Sequence, residues 1–243
     1  MRILLTNDDG IEAEGIQSLY RELSSKHETY IIAPDRERSA CSNIFTMRDP
    51  VRINTISGNI YSINGYPADC VSLALHSGLI PGIDLVISGI NHGPNLGDDV
   101  HFSGTVAAAR TAVIFGKPGI AISADTQHIA SAYFNQMSKF LSEFIEKNFP
   151  FNGQYLNINY PDLPQENIRG SMYTFLSKRF YVDTYKIVEQ NSDAELTMLL
   201  NGKIETRFDS GSDSDSLGKG YISITPLTID TTDYQALQES MNR

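Results

Sequence analysis

Residues 2–10 read Arg-Ile-Leu-Leu-Thr-Asn-Asp-Asp-Gly, an apolar run that ends abruptly in two adjacent carboxylates and a glycine. A short, continuous apolar run has the pattern of a strand buried on both faces, the kind found in parallel sheets. In open α/β sheets, ligands sit beyond the carboxyl ends of the strands, where loops converge. Asp8 and Asp9 are therefore placed to hold a hard cation such as Mg²⁺, and Gly10 permits the tight turn that follows. Capping the next helix needs only one aspartate. A pair points to a site.

Ile16, Leu19, Tyr20 and Leu23 recur at helical spacing and predict an amphipathic helix from about Gly15 to Lys26. Tyr30 to Ala33 is a second strand, closed by Pro34, so a parallel pair with a right-handed crossover is expected. That strand opens into the polar loop from Pro34 to Asn43, which carries Arg36, Arg38, Ser39 and Asn43 beside the acidic pair. Composition alone would equally allow a solvated turn there. Val51 to Ile56 and Ile60 to Ile63 alternate around Ser57-Gly58-Asn59 as a hairpin. Asp69 is placed to cap a helix running to about Ser77, and Cys70 reads as an inert core thiol.

Leu85 to Ser88 is another apolar strand, followed by Gly89-Ile90-Asn91-His92-Gly93-Pro94-Asn95-Leu96-Gly97-Asp98-Asp99. This glycine- and asparagine-rich loop leads to Ser103-Gly104-Thr105, directly ahead of the helix former Val106-Ala107-Ala108-Ala109. Free backbone N–H groups, two hydroxyls and the positive end of the helix dipole make that an anion site. Taken alone, Ser103 or Thr105 would be an ordinary cap. With carboxylates at a neighbouring strand end, a metal-bridged phosphate is the simpler account.

Ile120 to Ser123 is a further strand, and Tyr133, Phe134, Met137, Phe140, Leu141, Phe144 and Ile145 trace the core face of a long helix. Tyr155 to Asn159 closes the α/β body. From about Pro161 the pattern changes to short alternating segments at Ser171–Phe175, Phe180–Val188, Glu195–Leu200 and Tyr221–Thr225, which read as β-hairpins. Ser210 to Ser216 lacks the spacing and terminal Glu of an EF-hand and is expected to be a mobile acidic loop. Tyr234 to Met241 is read as a short helix.

The 243 residues, 41% of them hydrophobic, suffice for one large core. No apolar run is long enough to span a bilayer, and no signal peptide is visible at the N-terminus. Cys41 and Cys70 do not make a disulfide framework, so the expected compartment is the cytoplasm. A net charge of −10 argues against a grip on long nucleic acids, but not against a small phosphorylated substrate. His27, His76 and His128 fall in surface-like contexts. His92 and His101 lie in the rich loop without a second His or Cys at ligand spacing, which argues against zinc.

Three designs place an acid after the first strand and handle phosphate. A haloacid-dehalogenase-type phosphatase needs a second Asp two positions after the nucleophile, and neither Asp8 nor Asp9 has one. A response-regulator receiver needs a phosphoacceptor Asp ending a central strand and a late Lys, and both are missing here. Direct attack by water on a metal-held phosphoryl group needs no protein nucleophile. Only this last design fits.

The chain resembles the SurE (stationary-phase survival protein) nucleotidases. The resemblance rests on Thr6-Asn7-Asp8-Asp9-Gly10, on Ala33-Pro34-Asp35-Arg36 with Ser39, and on Ser88 to Asn91 continuing through Asn95 to Asp99. Ser103-Gly104-Thr105-Val106, Tyr66 to Val71, Leu156-Asn157-Ile158-Asn159 and Gly220 to Leu227 extend it collinearly. The resemblance implies a metal-dependent hydrolase of nucleoside 5′-monophosphates, and of 3′-monophosphates as well. One divalent ion per subunit, Mg²⁺ or Mn²⁺, would be held by Asp8, Asp9, Ser39 and Asn91. Asn43, Asn95, Ser103, Gly104 and Thr105 would hold the phosphate. With the ion in place, Asp8 or Asp9 is also positioned to orient or deprotonate the attacking water. The resemblance also implies a Rossmann-like, mostly parallel sheet flanked by helices over residues 1–160. Residues 161–243 would add a β-hairpin arm, a return strand and a terminal helix within one continuous functional domain. The arm would be exchanged between subunits of a homodimer or homotetramer. Thr111-Ala112 stands where the family commonly has Glu-Gly, and residues 180–208 depart from the usual pattern. The alternative from a different class is a nucleotide- or phosphate-binding regulatory module without catalysis.

Overall fold

The computed structural model describes residues 1–125, 132–150, 155–192 and 195–242; His128 lies outside them. In chain order the elements are β1 (Arg2–Thr6), α1 (Glu14–Leu23), β2 (Glu28–Pro34), β3 (Ile53–Ser57), β4 (Ile60–Ile63), α2 (Pro67–His76) and β5 (Leu85–His92). A 3-10 turn at Gly97–His101 precedes α3 (Gly104–Ile114), β6 (Gly119–Ala124), α4 (Ala132–Asn148) and β7 (Tyr155–Tyr160). Then come β8 (Ser171–Tyr173), β9 (Lys178–Ser192), β10 (Glu195–Arg207), α5 (Asp213–Gly218), β11 (Ile222–Leu227) and α6 (Tyr234–Met241).

Nine strands form one sheet in the order β3-β4-β2-β1-β5-β6-β7-β11-β8. The six from β4 to β7 are mutually parallel, while β3 and β11 run antiparallel to their neighbours β4 and β7. The apolar runs are continuous because both faces are covered. Ile3 and Leu5 pack in one cluster with Ile16, Leu19 and Leu23 of α1 and Met137, Leu141 and Ile145 of α4. Leu4, pointing the other way, joins Ile32, Val71 of α2 and Ala108 and Ala112 of α3 on the opposite face. This alternation is the two-residue period of a strand, while the common direction of the six parallel strands brings their carboxyl ends to one edge.

Two sequence expectations are corrected. Asp69 is not the cap residue of α2. The helix starts at Pro67, and the Asp69 carboxylate reaches back to accept from the Tyr66 N–H at 2.9 Å while also accepting from the N–H and hydroxyl of Thr46. The acidic stretch at 210–216 is not a solvated loop. Ser212 caps the short α5, and Asp213 is fully buried, accepting from the N–H groups of Gly97 and Ser177 at 2.8 Å each. A carboxylate enters a core when such donors satisfy it, and here they come from distant segments.

β9 and β10 form a separate two-stranded antiparallel ribbon. Phe180, Tyr185, Ile187, Val188, Met198 and Leu199 along it are all exposed.

Candidate active site

The loops leaving β1, β2 and β5 are stitched together before any ligand is considered. Ile11 donates its N–H to the Pro34 carbonyl at 2.9 Å, and Arg38 donates its N–H to the Asp8 carbonyl at 2.7 Å. The β2 loop is tied in turn to the segment ahead of α3. The Ser42 N–H meets the Phe102 carbonyl at 2.9 Å, and the Ser42 hydroxyl meets the His101 carbonyl at 2.7 Å. Between these loops lies an open cleft of about 380 Å³.

Asp8 sits at its floor, 5% exposed. It faces the N-terminus of α3, where the Thr105 N–H donates to its Oδ2 at 3.1 Å and the Thr105 hydroxyl donates to its Oδ1. Gly104 makes this approach possible. A Cβ there would stand 2.8 Å from Asp8 Oδ2 and 2.5 Å from Cys41 Sγ. Asp9 is held from the other side by the His92 N–H, which donates to its Oδ2 at 3.1 Å. Burial raises the pKa of Asp8 above the usual carboxylate range, against the pull of Thr105. Burial, with the adjacent Asp8 charge, pushes Asp9 up to about 6. No Lys or Arg among the described residues forms an ion pair with either carboxylate.

The remaining polar groups are oriented by bonds that leave acceptors for the cleft. The Ser39 hydroxyl donates its proton to Glu37 Oε1 at 2.6 Å, so its lone pairs remain to accept. The Asn91 amide nitrogen donates to the Gly93 carbonyl at 2.7 Å, turning the amide oxygen away from that group. Asn95 is locked by a buried network. Its N–H donates to Asn159 Oδ1, its amide to Ser123 Oγ, and its carbonyl accepts from Asn157 and Asn159. The Leu156-Asn157-Ile158-Asn159 strand thus alternates between apolar core and support for this loop.

A family model described as survival protein SurE matches residues 3–183. The chain belongs to the SurE family. It is 41% identical to the 5′-nucleotidase SurE of Geotalea daltonii, over 98% of this chain and 96% of that one. It is 40% identical to the 5′-nucleotidase SurE of Leptospira interrogans, again over 98% and 96% of the two chains. The crystal structure of the SurE protein from Aquifex aeolicus superposes with a TM-score of 0.83 at 33% identity, covering 98% of both chains. The fold class expected from sequence, a mostly parallel sheet with a C-terminal hairpin, is the SurE fold.

In this SurE chain, six of the residues singled out by sequence line one cleft: Asp8, Asp9, Ser39, Asn91, Asn95 and Ser103. Thr105 is fully buried and its polar atoms face Asp8. Ser103 caps α3, accepting from the Val106 N–H at 3.1 Å. Asn43 is directed elsewhere, its Oδ1 accepting from Arg110 and Thr111 of α3. Other lining residues had been given no role in the site from sequence, among them Glu37, Asp99, Phe102 and Tyr181. Glu37 was legible as part of the charged β2 loop, but Tyr181 lies on β9 and carries no local signal.

Proposed function

We propose that this SurE chain is a divalent-metal-dependent phosphomonoesterase. It hydrolyses nucleoside 5′-monophosphates, and 3′-monophosphates as well, to nucleoside and inorganic phosphate. The observation that carries the proposal is a single cleft lined by a buried carboxylate, Asp8, a half-buried one, Asp9, one hydroxyl and one amide, with no ion pair to either acid among the described residues.

That set fits a hard ion. Asp8, Asp9, Ser39 and Asn91 all offer oxygen, the donor that Mg²⁺ and Mn²⁺ prefer. Two adjacent carboxylates whose burial resists ionisation are the environment a divalent charge would reverse. We assign one such ion per subunit to these four residues. The chemistry it supplies when bound is charge neutralisation at the phosphoryl oxygens and a more acidic water.

The protein's own groups do the rest. Thr105 aims the Asp8 carboxylate, and the α3 dipole favours its negative charge. Ser103 lines the cleft with its hydroxyl proton uncommitted, free to meet phosphoryl oxygens as charge develops on them, and Asn95 has its second amide hydrogen to add, the first being held by Ser123. Asp9, at the exposed edge of the pair, is the residue we assign to orienting the attacking water. A regulatory module without catalysis would need none of this acidic machinery, since a helix N-terminus alone can bind phosphate.

We further assign residues 1–160 to the catalytic body and 161–243 to an extension that works with it as one functional domain. A two-stranded ribbon with exposed apolar residues is marginal by itself. This supports exchange of the β9–β10 arm between subunits of a homodimer or homotetramer. No helix among the described residues is long and apolar enough to cross a membrane, and both cysteines are buried and free. We assign the protein to the cytoplasm.

The deciding experiment is release of inorganic phosphate from a panel of nucleoside 5′- and 3′-monophosphates, with Mg²⁺ or Mn²⁺ and again with EDTA. Release that requires the ion is the expected result. A folded, metal-supplied protein that releases none would overturn the proposal.

A further inference from the structure

We infer that Phe102 and Tyr181 form the nucleobase subsite, holding the base chiefly by stacking; this rests on the nucleotidase reading above. Both rings line the cleft that contains Asp8, Asp9 and Asn91. Phe102 immediately precedes Ser103, so a phosphate near the start of α3 lies one residue from an aromatic face. The rings meet edge to face, with centroids 5.8 Å apart and planes at 87°. They come from separate segments, the turn before α3 and the base of β9. Phe102 is 55% exposed and Tyr181 37%, far more open than a core aromatic.

The pair is also held in place. The Tyr181 hydroxyl donates to Asp99 Oδ1 at 2.6 Å, and Arg179 pairs with the same carboxylate. The Arg179 N–H donates to Asp98 Oδ2 at 3.0 Å, fastening β9 to the 3-10 turn. The subsite therefore needs little ordering when a ligand arrives, which favours binding. The same bonds decide its selectivity. With the tyrosine proton engaged by Asp99, the wall offers mainly ring surface, its hydroxyl keeping acceptor lone pairs but no proton for a base. Every base has a π-face, so stacking of this kind tolerates any of them, and the larger purines cover more of the wall.

A second cleft on the far side of Asp9 is lined by Phe134 and His92. It is a poorer candidate. Phe134 is only 6% exposed and belongs to the core cluster against α1, so it has no face to offer.

The test compares adenosine 5′-monophosphate with ribose 5-phosphate, which carries the same phosphate and sugar but no base, in metal-loaded full-length protein. Wild type is expected to favour the nucleotide in KM, and F102A to lose roughly tenfold or more of that preference. F102W, which keeps an aromatic face, should restore it. Guanosine monophosphate should rank with adenosine monophosphate, and both ahead of the pyrimidine nucleotides. An unchanged KM ratio in F102A, or a wild type that does not prefer the nucleotide, overturns the subsite while leaving the hydrolase intact. No phosphate released from either compound by wild type overturns the hydrolase, and the subsite with it.

Discussion

Thr105 donates both its backbone N–H and its hydroxyl to one carboxylate, that of Asp8, a residue 97 positions earlier in the chain. The positive end of α3 is thus met by a negative charge that the protein supplies itself. The helix aims the acid, and the acid faces the cleft. Thr105→Val keeps the shape and the N–H but removes the hydroxyl. Metal affinity should fall by about 10- to 100-fold, the usual consequence of losing a bond that orients a ligand. Calorimetric titration with Mn²⁺ reads this directly, and a Tm close to wild type would show that the fold is untouched.

Asp8→Asn removes the buried charge and keeps the volume. The amide can still accept from the Thr105 N–H and can donate to the Thr105 hydroxyl, so the site accommodates it. Phosphate release should drop at least about a hundredfold. The metal-free variant should melt no lower than the metal-free wild type, since an uncompensated buried charge is costly. Wild-type turnover with Mn²⁺ present would remove Asp8 from the metal site.

Gly104→Ala tests the close approach of α3 to the floor of the cleft. The new methyl would collide with Cys41 Sγ and Asp8 Oδ2, both inside 3.0 Å. Stability should fall by about 1–3 kcal/mol, the range for overpacking. Adding Cys41→Ala should recover part of that loss, visible as a rise in the urea midpoint. It should not recover activity, because the clash with Asp8 remains.

The parts of this molecule that were legible in its sequence are those set by local pattern. Buried parallel strands give unbroken apolar runs, so β1, β5 and β6 could be read directly, and the end of β1 marked Asp8 and Asp9, whereas Asn91 was singled out only by the family resemblance. What was illegible depends on partners far along the chain. Asp213 looks solvated among serines, yet its acceptors are filled by Gly97 and Ser177, the former 116 residues away. Asp69 has the right type for a cap, but its donors include Thr46, 23 residues earlier, and they draw it into the third helical position. Thr105 read as a phosphate ligand because nothing local shows that its hydroxyl faces an aspartate. Phe102 and Tyr181 meet only after β9 docks on the turn before α3.

Ile187 and Met198 stand opposite each other across the β9–β10 ribbon, 55% and 50% exposed. Replacing them together, as Ile187→Glu and Met198→Lys, substitutes an opposite-charge pair that still favours the ribbon. It puts charge in the middle of the apolar surface we assign to subunit contact. Sedimentation should find wild type as a dimer or tetramer and the double variant as a monomer. An unchanged mass would take the arm out of the assembly.

The far side of the sheet carries a different consequence. β11 lies between β7 and β8, antiparallel to the first and parallel to the second, and among the described residues β8 has no other strand neighbour. During synthesis, β8 therefore emerges with nothing to pair with, and β7 presents an open edge until some 60 more residues have followed, an interval read from the positions of β7 and β11. That interval contains the apolar ribbon. An unpaired edge and an exposed apolar hairpin are together in the nascent chain, the combination most prone to aggregate. One late strand, β11, joins β7 to β8, so this end of the sheet cannot be complete until that strand has been made.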